Sequence, residues 1–464
     1  MYGRSLMSLV IAHSLGKRGV EVIGCDDVEL TVLSFSRYVT RTFVHEPLDQ
    51  VRERFLQDLE GHLRKLIPED GRPYILMPVF RETEIIAANR ERFERFMKVA
   101  APPFDAIAAV HPKDRLRVTA ERLGVPIPRT WDLRDSIRNP VVIPPVTRDG
   151  TTRPRRKAYR DSVFPSGETR LPDSLNNIVD TITSPALIKP PDDVGGRGIV
   201  RCETPAELRR EIREYLQRRG ELPLLQEYAP GDDYCLTVLF EGGELVASMA
   251  YRNLYRYPVE SGAGIVRETV DDTPFLDPTR RLLGPLGWHG IAELDFRWSP
   301  EGDRPPLLLE VNPRFWAGLF QTVESGLDIP WLLFQLTLEG HVEAPAPIAI
   351  GKRTKIPGLW LLSAVRDISG SEARFERVRA AWREARDSIE QRQIREAFRQ
   401  ITASLEGGTG FRETFSTLRG IIREGRRARN DLFFRDDPFI VLGVLFVLAS
   451  LIRYGKLPPE VKNR

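Results

Sequence analysis

Residues 290–314 read GIAELDFRWSPEGDRPPLLLEVNPR, and this stretch decides the fold. Apolar and polar residues alternate over 290–298 and 306–312, and residues typical of turns separate the two runs. The pattern predicts two paired β-strands joined by a short connection.

Both predicted strands carry polar side chains with oxygen atoms. Alternation places Glu293 and Asp295 on one face of the first strand, and Glu310 and Asn312 on one face of the second. If the strands are adjacent, Asp295, Glu310 and Asn312 offer converging oxygen ligands of the kind that Mg²⁺ prefers. Acids in an apolar run need a neutralising partner when they are buried. The alternative is a half-exposed strand whose acids face water.

Lysine is the rare cation of this chain. Lys and Arg together number 68, but only Lys113, Lys157 and Lys189 fall between residues 99 and 351. Where Arg is the usual choice, a Lys favours a place that needs a compact point charge. Lys189 ends a predicted strand and is followed by the loop 195–198, GGRG. Such a loop can surround phosphate oxygens with N–H groups, although its spacing is not that of a P-loop and an ordinary hairpin is the alternative.

The size and composition are those of a multidomain globular protein. The 464 residues are 41% hydrophobic and 29% charged, with a formal net charge of +3. This length allows roughly two to four domains. The composition excludes disordered, collagen-like and polytopic membrane proteins, and so small a charge gives no argument for nucleic-acid binding. Three scattered cysteines indicate a reducing, cytoplasmic environment.

The N-terminal part alternates between helical and strand patterns. Residues 4–18 are helix-like, and 20–26 and 74–79 are apolar strands, which predicts a parallel sheet covered by helices. A doubly wound domain usually opens with a strand before its first Gly-rich turn. Here the chain begins at what looks like that turn, residues 3–5 (GRS). We therefore expect a true start further upstream, or else a sheet that has lost one strand.

The remaining chain is predicted as short strands and helices. Strands are predicted over 186–190, 199–202 and 224–228, a β-hairpin over 234–240 and 245–251, and helices over 113–123, 205–218, 371–405 and 411–430. The loop 140–172 is rich in arginine. Its first interpretation is solvated surface, and a contact with an anionic substrate or lipid headgroup is the second.

Six motifs occur in an order that resembles the ATP-grasp superfamily, especially its carboxylate–amine ligases and its carbamoyl-phosphate-synthase-like branch. They are Lys113 ahead of GVPIPRT (124–130), a strand ending in Lys189, GGRG (195–198), QEYAPGDD (226–233), AELDF (292–296) and LEVNPR (309–314). The resemblance covers about residues 1–340. It implies an α/β protein with the α+β ATP-grasp fold: an N-terminal parallel-sheet domain at 1–112, a two-lobed ATP-grasp domain at 113–345 with its lid at about 184–230, and a helical extension at 346–464.

The same resemblance assigns roles to individual residues. It implies ATP contacts from Lys113, Lys189, Gly195, Gly196, Arg197, Gly198, Gln226, Glu227, Ala229 and Asp233. It implies Mg²⁺ or Mn²⁺ ligands at Asp295, Glu310 and Asn312, and catalytic roles for Lys189 and Arg314. Lys113 and Lys189 correspond to phosphate-binding lysines, and Arg314 corresponds to the cation that stabilises the acyl phosphate. Pro112 stands where related proteins usually have Asp.

The implied activity is a ligase that uses ATP to activate a carboxylate as an acyl phosphate and then joins it to an amine. A carbamoyl-phosphate-synthase-like or kinase-like phosphoryl transfer is the first alternative, and a non-catalytic ATP-binding regulator is the second. Arg252 and Arg256 lie where related ligases present a substrate loop, so they are candidates to hold a substrate carboxylate, or else surface arginines. His289, Cys202 and Cys235 are interpreted as structural.

Residues 439–452 are apolar apart from Gly443 and Ser450. As a helix they would span ~21 Å, short of the roughly 30 Å hydrocarbon core of a bilayer. A buried helix or a homodimer contact is therefore the first interpretation, and a peripheral membrane helix is the second. We expect a cytoplasmic protein, with membrane association through this segment left open.

Overall fold

The structure is a computed structural model that describes residues 3–29, 31–48, 51–136, 171–182, 185–190, 198–257, 263–356, 427–431, 434 and 436–437. The chain divides into two compact units. The first comprises residues 1–252, 269–351 and 434–464, and the second comprises residues 253–268 and 352–433.

The N-terminal part of the first unit contains two parallel strand pairs. Strand β1 (Val22–Asp26) pairs with β2 (Val39–Val44), and β3 (Ile75–Leu76) pairs with β4 (Lys98–Val99). The helices of this part are α1 (Leu6–Gly16), α2 (Arg52–Arg64), α3 (Glu82–Ala88), α4 (Arg90–Phe93) and α5 (Phe104–Val110). The predicted parallel pairing is confirmed, although among the described residues the strands form two separate pairs.

The Ser5 side chain accepts a hydrogen bond from the Met7 N–H and caps the start of α1. Just before it, the Gly3 N–H donates to the Cys25 carbonyl, 3.2 Å away. The predicted turn at residues 3–5 thus runs directly into a helix.

A four-stranded antiparallel sheet contains the three strands of the predicted lid, residues 184–230, together with one earlier strand. Its order is β5 (Thr130–Asp132), β8 (Leu224–Glu227), β6 (Ala186–Lys189) and β7 (Val200–Cys202). Helices α7 (Asp173–Thr181) and α8 (Pro205–Arg219) share one apolar core with this sheet. The three predicted strands and the predicted helix over 205–218 are confirmed, and their observed boundaries differ from the predicted ones by one residue.

A larger antiparallel sheet positions the candidate site. In the first unit its strand order is β13 (Leu307–Asn312), β12 (Gly290–Trp298), β9 (Asp232–Glu241) and β10 (Glu244–Tyr257). Helices α6 (Lys113–Arg122), α9 (Thr273–Leu283), α10 (Leu319–Glu324) and α11 (Ile329–Glu339) belong to the same unit. The predicted hairpin and the predicted pair of strands around residues 290–314 are both confirmed.

The two faces of this sheet differ in chemistry. Leu236, Val238 and Leu294 belong to one fully buried apolar cluster. Since side chains alternate along a strand, Glu293 and Asp295, the two neighbours of Leu294 in β12, lie on the opposite face. The alternation that predicted the strands therefore also separates the core from the polar site.

In the second unit, β11 (Ala263–Val270) pairs with β14 (Arg353–Lys355), which pairs in parallel with β15 (Arg429–Asn430). The prediction that a helix extends to residue 430 is wrong at its last two residues, because their backbone joins β14 instead. The Arg267 guanidinium donates to the Asp431 carboxylate at 2.9 Å, and both side chains are buried. The rest of the predicted helices over 371–430 and the apolar segment 439–452 lie outside the described residues.

Within the described part of the chain, no helix combines the length and the apolar character needed to cross a membrane.

Candidate active site

The predicted metal ligands face one another across two neighbouring strands. In the register of β12 and β13, Asp295 lies opposite Glu310, and Glu293 lies opposite Asn312. A register irregularity follows directly after Asp295. The structure therefore brings Asp295, Glu310 and Asn312 together, as the sequence predicted.

Glu293 belongs to the same cluster. The Asn312 amide nitrogen lies 3.4 Å from Asp295 Oδ2 and 3.5 Å from Glu293 Oε2. On its other side, Glu293 accepts a hydrogen bond of 2.5 Å from the Tyr251 hydroxyl, and both residues are buried. Tyr251 and Glu293 therefore fix which way the Asn312 amide points.

Burial and the neighbouring acids Glu293 and Glu310 raise the pKa of Asp295 well above its usual value. The Cys235 thiol lies 3.2 Å from Asp295 Oδ1 and acts as a donor to it. A carboxylate crowded by two others in a buried place is a strong site for a cation, because a cation removes the repulsion.

Two basic side chains approach the cluster from opposite ends. Lys113, the first residue of α6, places its ammonium 3.6 Å from Glu310 Oε2. The Arg314 guanidinium donates to the Asn312 side-chain oxygen Oδ1 at 3.0 Å and lies over the Phe80 ring at 4.4 Å. Positive charge is thus already present where phosphate groups would approach the acids.

Lys189 is the most deeply placed cation of the site. Its side chain is 6% exposed, and its ammonium donates to Gln226 Oε1 at 2.5 Å. Gln226 in turn donates to the Thr130 hydroxyl at 2.8 Å, which fixes the amide orientation. Burial, followed by the nearby Lys113, lowers the pKa of Lys189 to about 7. An arriving anion would therefore favour its charged form.

A small cleft lies beside these lysines. Its polar lining residues are Lys113, Arg117, Thr130, Lys189 and Gln226, and its apolar lining residues are Leu116, Ile127, Leu224, Leu308 and Leu309. Its volume in this structure is about 20 Å³, so a nucleotide would have to widen it.

The other predicted nucleotide contacts have mixed outcomes. The Glu227 N–H donates to the Arg129 carbonyl at 3.0 Å, and Ala229 is buried. Asp233 forms an ion pair with Arg297 at 3.1 Å, so a ribose hydroxyl would share it with that guanidinium. In the predicted lid loop, Gly198 adopts a positive φ of 68°. Gly195, Gly196 and Arg197 lie outside the described residues.

The two candidate substrate arginines are not brought together by any described contact. Arg252 pairs with Asp232 at 3.3 Å in the first unit, whereas Arg256 belongs to the second unit. Their role in holding a substrate carboxylate stays a prediction.

Three residues of the site were missed by the sequence analysis. Cys235 was interpreted as core packing, but its thiol contacts Asp295. Glu293 was placed on the correct face without a role, and Tyr251 was not singled out. Alternation along β9, β10 and β12 could have identified all three as residues of the polar face.

The donor set fits a hard divalent cation. Two carboxylates and an amide oxygen on paired strands are the ligands that Mg²⁺ takes, and it leaves further positions to water and phosphate oxygens. The Asn312 oxygen lies with Arg314, and Glu310 lies with Lys113. A bound metal ion would therefore replace the Lys113–Glu310 ion pair and the Arg314–Asn312 hydrogen bond, and both basic side chains would be released toward a phosphate.

Comparisons with solved structures give the class of fold. The biotin carboxylase domain of Hydrogenobacter thermophilus 2-oxoglutarate carboxylase, solved with MgADP and bicarbonate, aligns with 75% of this chain and 71% of that chain at 16% identity and a TM-score of 0.52. Staphylococcus aureus N5-carboxyaminoimidazole synthetase, solved with ADP, aligns with 75% of this chain and 79% of that chain at 13% identity and a TM-score of 0.50. These identities show the fold alone, and it is the ATP-grasp fold that the motifs predicted.

Comparisons of sequence give a more specific similarity than the fold does. A family model described as "ATP-grasp in the biosynthetic pathway with Ter operon" matches residues 221–356. The D-alanine–D-alanine ligase of Acidiphilium cryptum is 28% identical over 167 residues, which are 33% of this chain and 54% of that protein. The chain thus spans about half the length of this curated relative. The predicted resemblance to the ATP-grasp superfamily is confirmed.

Proposed function

We propose that the protein is an ATP- and Mg²⁺-dependent ligase that joins a carboxylate to an amine through an acyl phosphate. The convergence of Asp295, Glu310 and Asn312 between Lys113 and Arg314 carries this proposal. The D-alanine–D-alanine ligase that matches part of the chain supports it. Both substrates are small molecules, and their identities are left to experiment.

The reaction needs two anions to meet. A carboxylate oxygen attacks the γ-phosphorus of ATP and ADP leaves, so negative charge must be neutralised before bond formation. Lys113 and Lys189 supply positive charge beside the nucleotide cleft. Mg²⁺, held by Asp295, Glu310 and Asn312, would supply further positive charge on the phosphate oxygens. These groups act where charge develops, which is where electrostatic stabilisation is most effective.

In the second half-reaction the amine nitrogen attacks the activated carbonyl, the C–O bond to phosphate breaks, and the amine loses a proton. Arg314 lies on the rim of the acid cluster with the Phe80 ring against its guanidinium, which limits its motion. It is therefore placed to stabilise the oxygen of the acyl group as inorganic phosphate leaves. A role for the predicted lid loop, with Gly195, Gly196 and Gly198, in excluding water from the acyl phosphate stays a prediction from the sequence.

The domain assignment forms part of the same proposal. We assign residues 1–112 to a domain that precedes the ATP-grasp core, 113–345 to the core and 346–464 to an extension. We also propose a cytoplasmic location, since the three cysteines are buried and unpaired with one another. A membrane contact or dimer contact through 439–452 stays a prediction.

ADP release is the direct test. The full chain with MgATP should release ADP faster when a productive carboxylate and amine are both present, so pools of carboxylic acids and amino acids are screened in pairs. Glu310→Gln should abolish the stimulated release, and Glu301→Gln, a matched change of a glutamate on the exposed turn after β12, should leave it intact. ATP binding without any stimulated release across the screen would contradict ligation and favour a regulator.

A further inference from the structure

A second cavity lies at the beginning of β12, away from the nucleotide cleft. Its volume is about 280 Å³, close to the lower end of ligand-binding cavities. We call it the β12 cavity and define it by its lining: Arg90, Glu94, Lys98, Val99, Ala100, Ala101, His289, Gly290, Leu333, Leu336, Thr337 and Gly340. The proposed function uses none of these residues.

Two long basic side chains hold the walls of the β12 cavity in place. Arg90 donates to the carbonyls of Val99, Ala101 and Pro102, so it fixes the segment that follows β4. Lys98 donates to the Leu338 carbonyl at 2.6 Å and ties the same segment to the last turn of α11. Because these contacts are internal, the cavity is formed before any ligand arrives.

His289 presents a donor to the cavity. Its Nδ1 accepts a hydrogen bond from the Gly242 N–H at 3.3 Å. Burial, followed by the nearby Arg90, lowers its pKa below the usual value, so the ring is neutral near pH 7. With Nδ1 as an acceptor, the proton lies on Nε2. No described residue accepts from that nitrogen.

Two basic side chains, Arg90 and Lys98, outnumber the one acid of the lining, Glu94, and a further acid, Glu241, acts on His289 from nearby. Glu94 pairs with Arg90 at 2.9 Å, which leaves Lys98 as the uncompensated charge of the lining. The Lys98 ammonium has three N–H groups and the Leu338 carbonyl takes one of them. Lys98 and His289 therefore offer unused donors, while Val99, Ala100, Leu333 and Leu336 form an apolar floor.

We propose that the β12 cavity binds a small organic anion whose carboxylate or phosphate group contacts Lys98 and His289 and whose apolar body packs on Leu333 and Leu336. This ligand is not the reacting substrate. Asp295 lies five residues along β12 from Gly290, which is ~16 Å at the rise of a strand. The cavity is thus an additional site on the strand that carries the acid cluster.

The test measures binding of three probes to the full chain by calorimetry: benzoate, phenyl phosphate and the neutral benzamide. We expect one or both anions to bind at least tenfold more tightly than benzamide, also at saturating MgATP. A preference for one anion identifies the headgroup. The proposal is overturned if neither anion binds, if benzamide binds as well as they do, or if MgATP displaces them.

Variants of Lys98 and His289 test whether the anion binds in the β12 cavity. Lys98→Met and His289→Phe should each raise the Kd at least fivefold, whereas His289→Gln, which keeps an N–H donor, should stay within about twofold of the unchanged chain. Lys65→Met, a change of an exposed lysine at the end of α2, is the matched control. Retained MgATP binding shows that a variant is folded. Folded Lys98→Met and His289→Phe variants that both bind the anion normally would also overturn the proposal.

Discussion

The ammonium of Lys113 lies 3.6 Å from the carboxylate of Glu310, so the first residue of α6 neutralises an acid on β13. Both side chains are mostly buried, with exposed fractions of 12% and 16%. If Glu310 binds a metal ion and Lys113 binds a phosphate, the ion pair between them is lost and two contacts with the metal–nucleotide complex replace it. The pair thus connects ATP binding to metal binding.

Loss of the Lys113 charge should impair ATP binding and phosphoryl transfer together. Lys113→Met is expected to lower kcat/KM for ATP by roughly 10²–10³, the usual cost of removing one donor from such a site. Lys17→Met, at the exposed end of α1, is the control and should change little. Steady-state ADP release measures both. Near-normal kcat/KM in Lys113→Met would remove this lysine from the site.

Lys189 should make nucleotide binding depend on pH. With its pKa at about 7, the lysine loses its charge as the pH rises above 7, and the charged form is the one that a phosphate prefers. The affinity for ATP should therefore fall between pH 6 and pH 8.5, by up to about tenfold per unit above the pKa.

The Lys189→Arg variant isolates this effect, because arginine keeps its charge throughout. The Kd for ATP is measured by calorimetry for both proteins across this pH range. The titration of ATP itself contributes equally to both, so the difference between the two proteins reports on residue 189. Equal pH slopes in the two proteins would show that Lys189 does not titrate in binding.

Removing one acid from the cluster should stabilise the fold while it destroys the metal site. The raised pKa of Asp295 means that its ionised form is disfavoured in the folded chain, so near neutral pH this group costs stability. Asp295→Asn should raise the Tm of the metal-free protein above that of the unchanged chain and abolish ADP release. Asp277→Asn, in an exposed pair with Arg281, is the control for Tm. A lower Tm in Asp295→Asn would contradict the account of repulsion.

Arg314 should matter for the acyl-transfer half of the reaction more than for ATP binding. Arg314→Lys loses the planar, forked donor arrangement, so we expect amide formation to slow by roughly 10²-fold with the Kd for ATP within about threefold. Arg210→Lys, at an exposed arginine of α8, should be silent. Two quantities are measured: the rate of product formation, by mass spectrometry, and the Kd for the nucleotide, by calorimetry. A large loss of ATP affinity would instead make Arg314 a nucleotide-binding residue.

Much of the core could be predicted because its signals are local. Alternation around Glu293, Asp295 and Glu310 gave both the strands and the shared polar face, and the structure shows that register. Lys189 was singled out by its strand end and the glycine loop after it, and Lys113 by the resemblance to ATP-grasp proteins; both line the cleft.

The missed features depend on contacts that are distant in sequence. The Tyr251 hydroxyl reaches Glu293 across 42 positions, and the Cys235 thiol reaches Asp295 across 60. Strand β15 forms because Arg429 and Asn430 pair with β14. This pairing overrides the helical pattern of the preceding residues. Alternation can assign Tyr251 and Cys235 to the polar face, but which residue each one contacts follows only from tertiary structure.

In the proposed reaction the carboxylate substrate becomes an acyl phosphate. If the carboxylate of a productive pair is labelled with ¹⁸O on both oxygens, one labelled oxygen stays with phosphorus when the amine displaces phosphate. Mass spectrometry of the inorganic phosphate released in a single turnover measures this transfer. Our account predicts one ¹⁸O atom in each phosphate formed with each amide; unlabelled phosphate accompanying amide formation would contradict it.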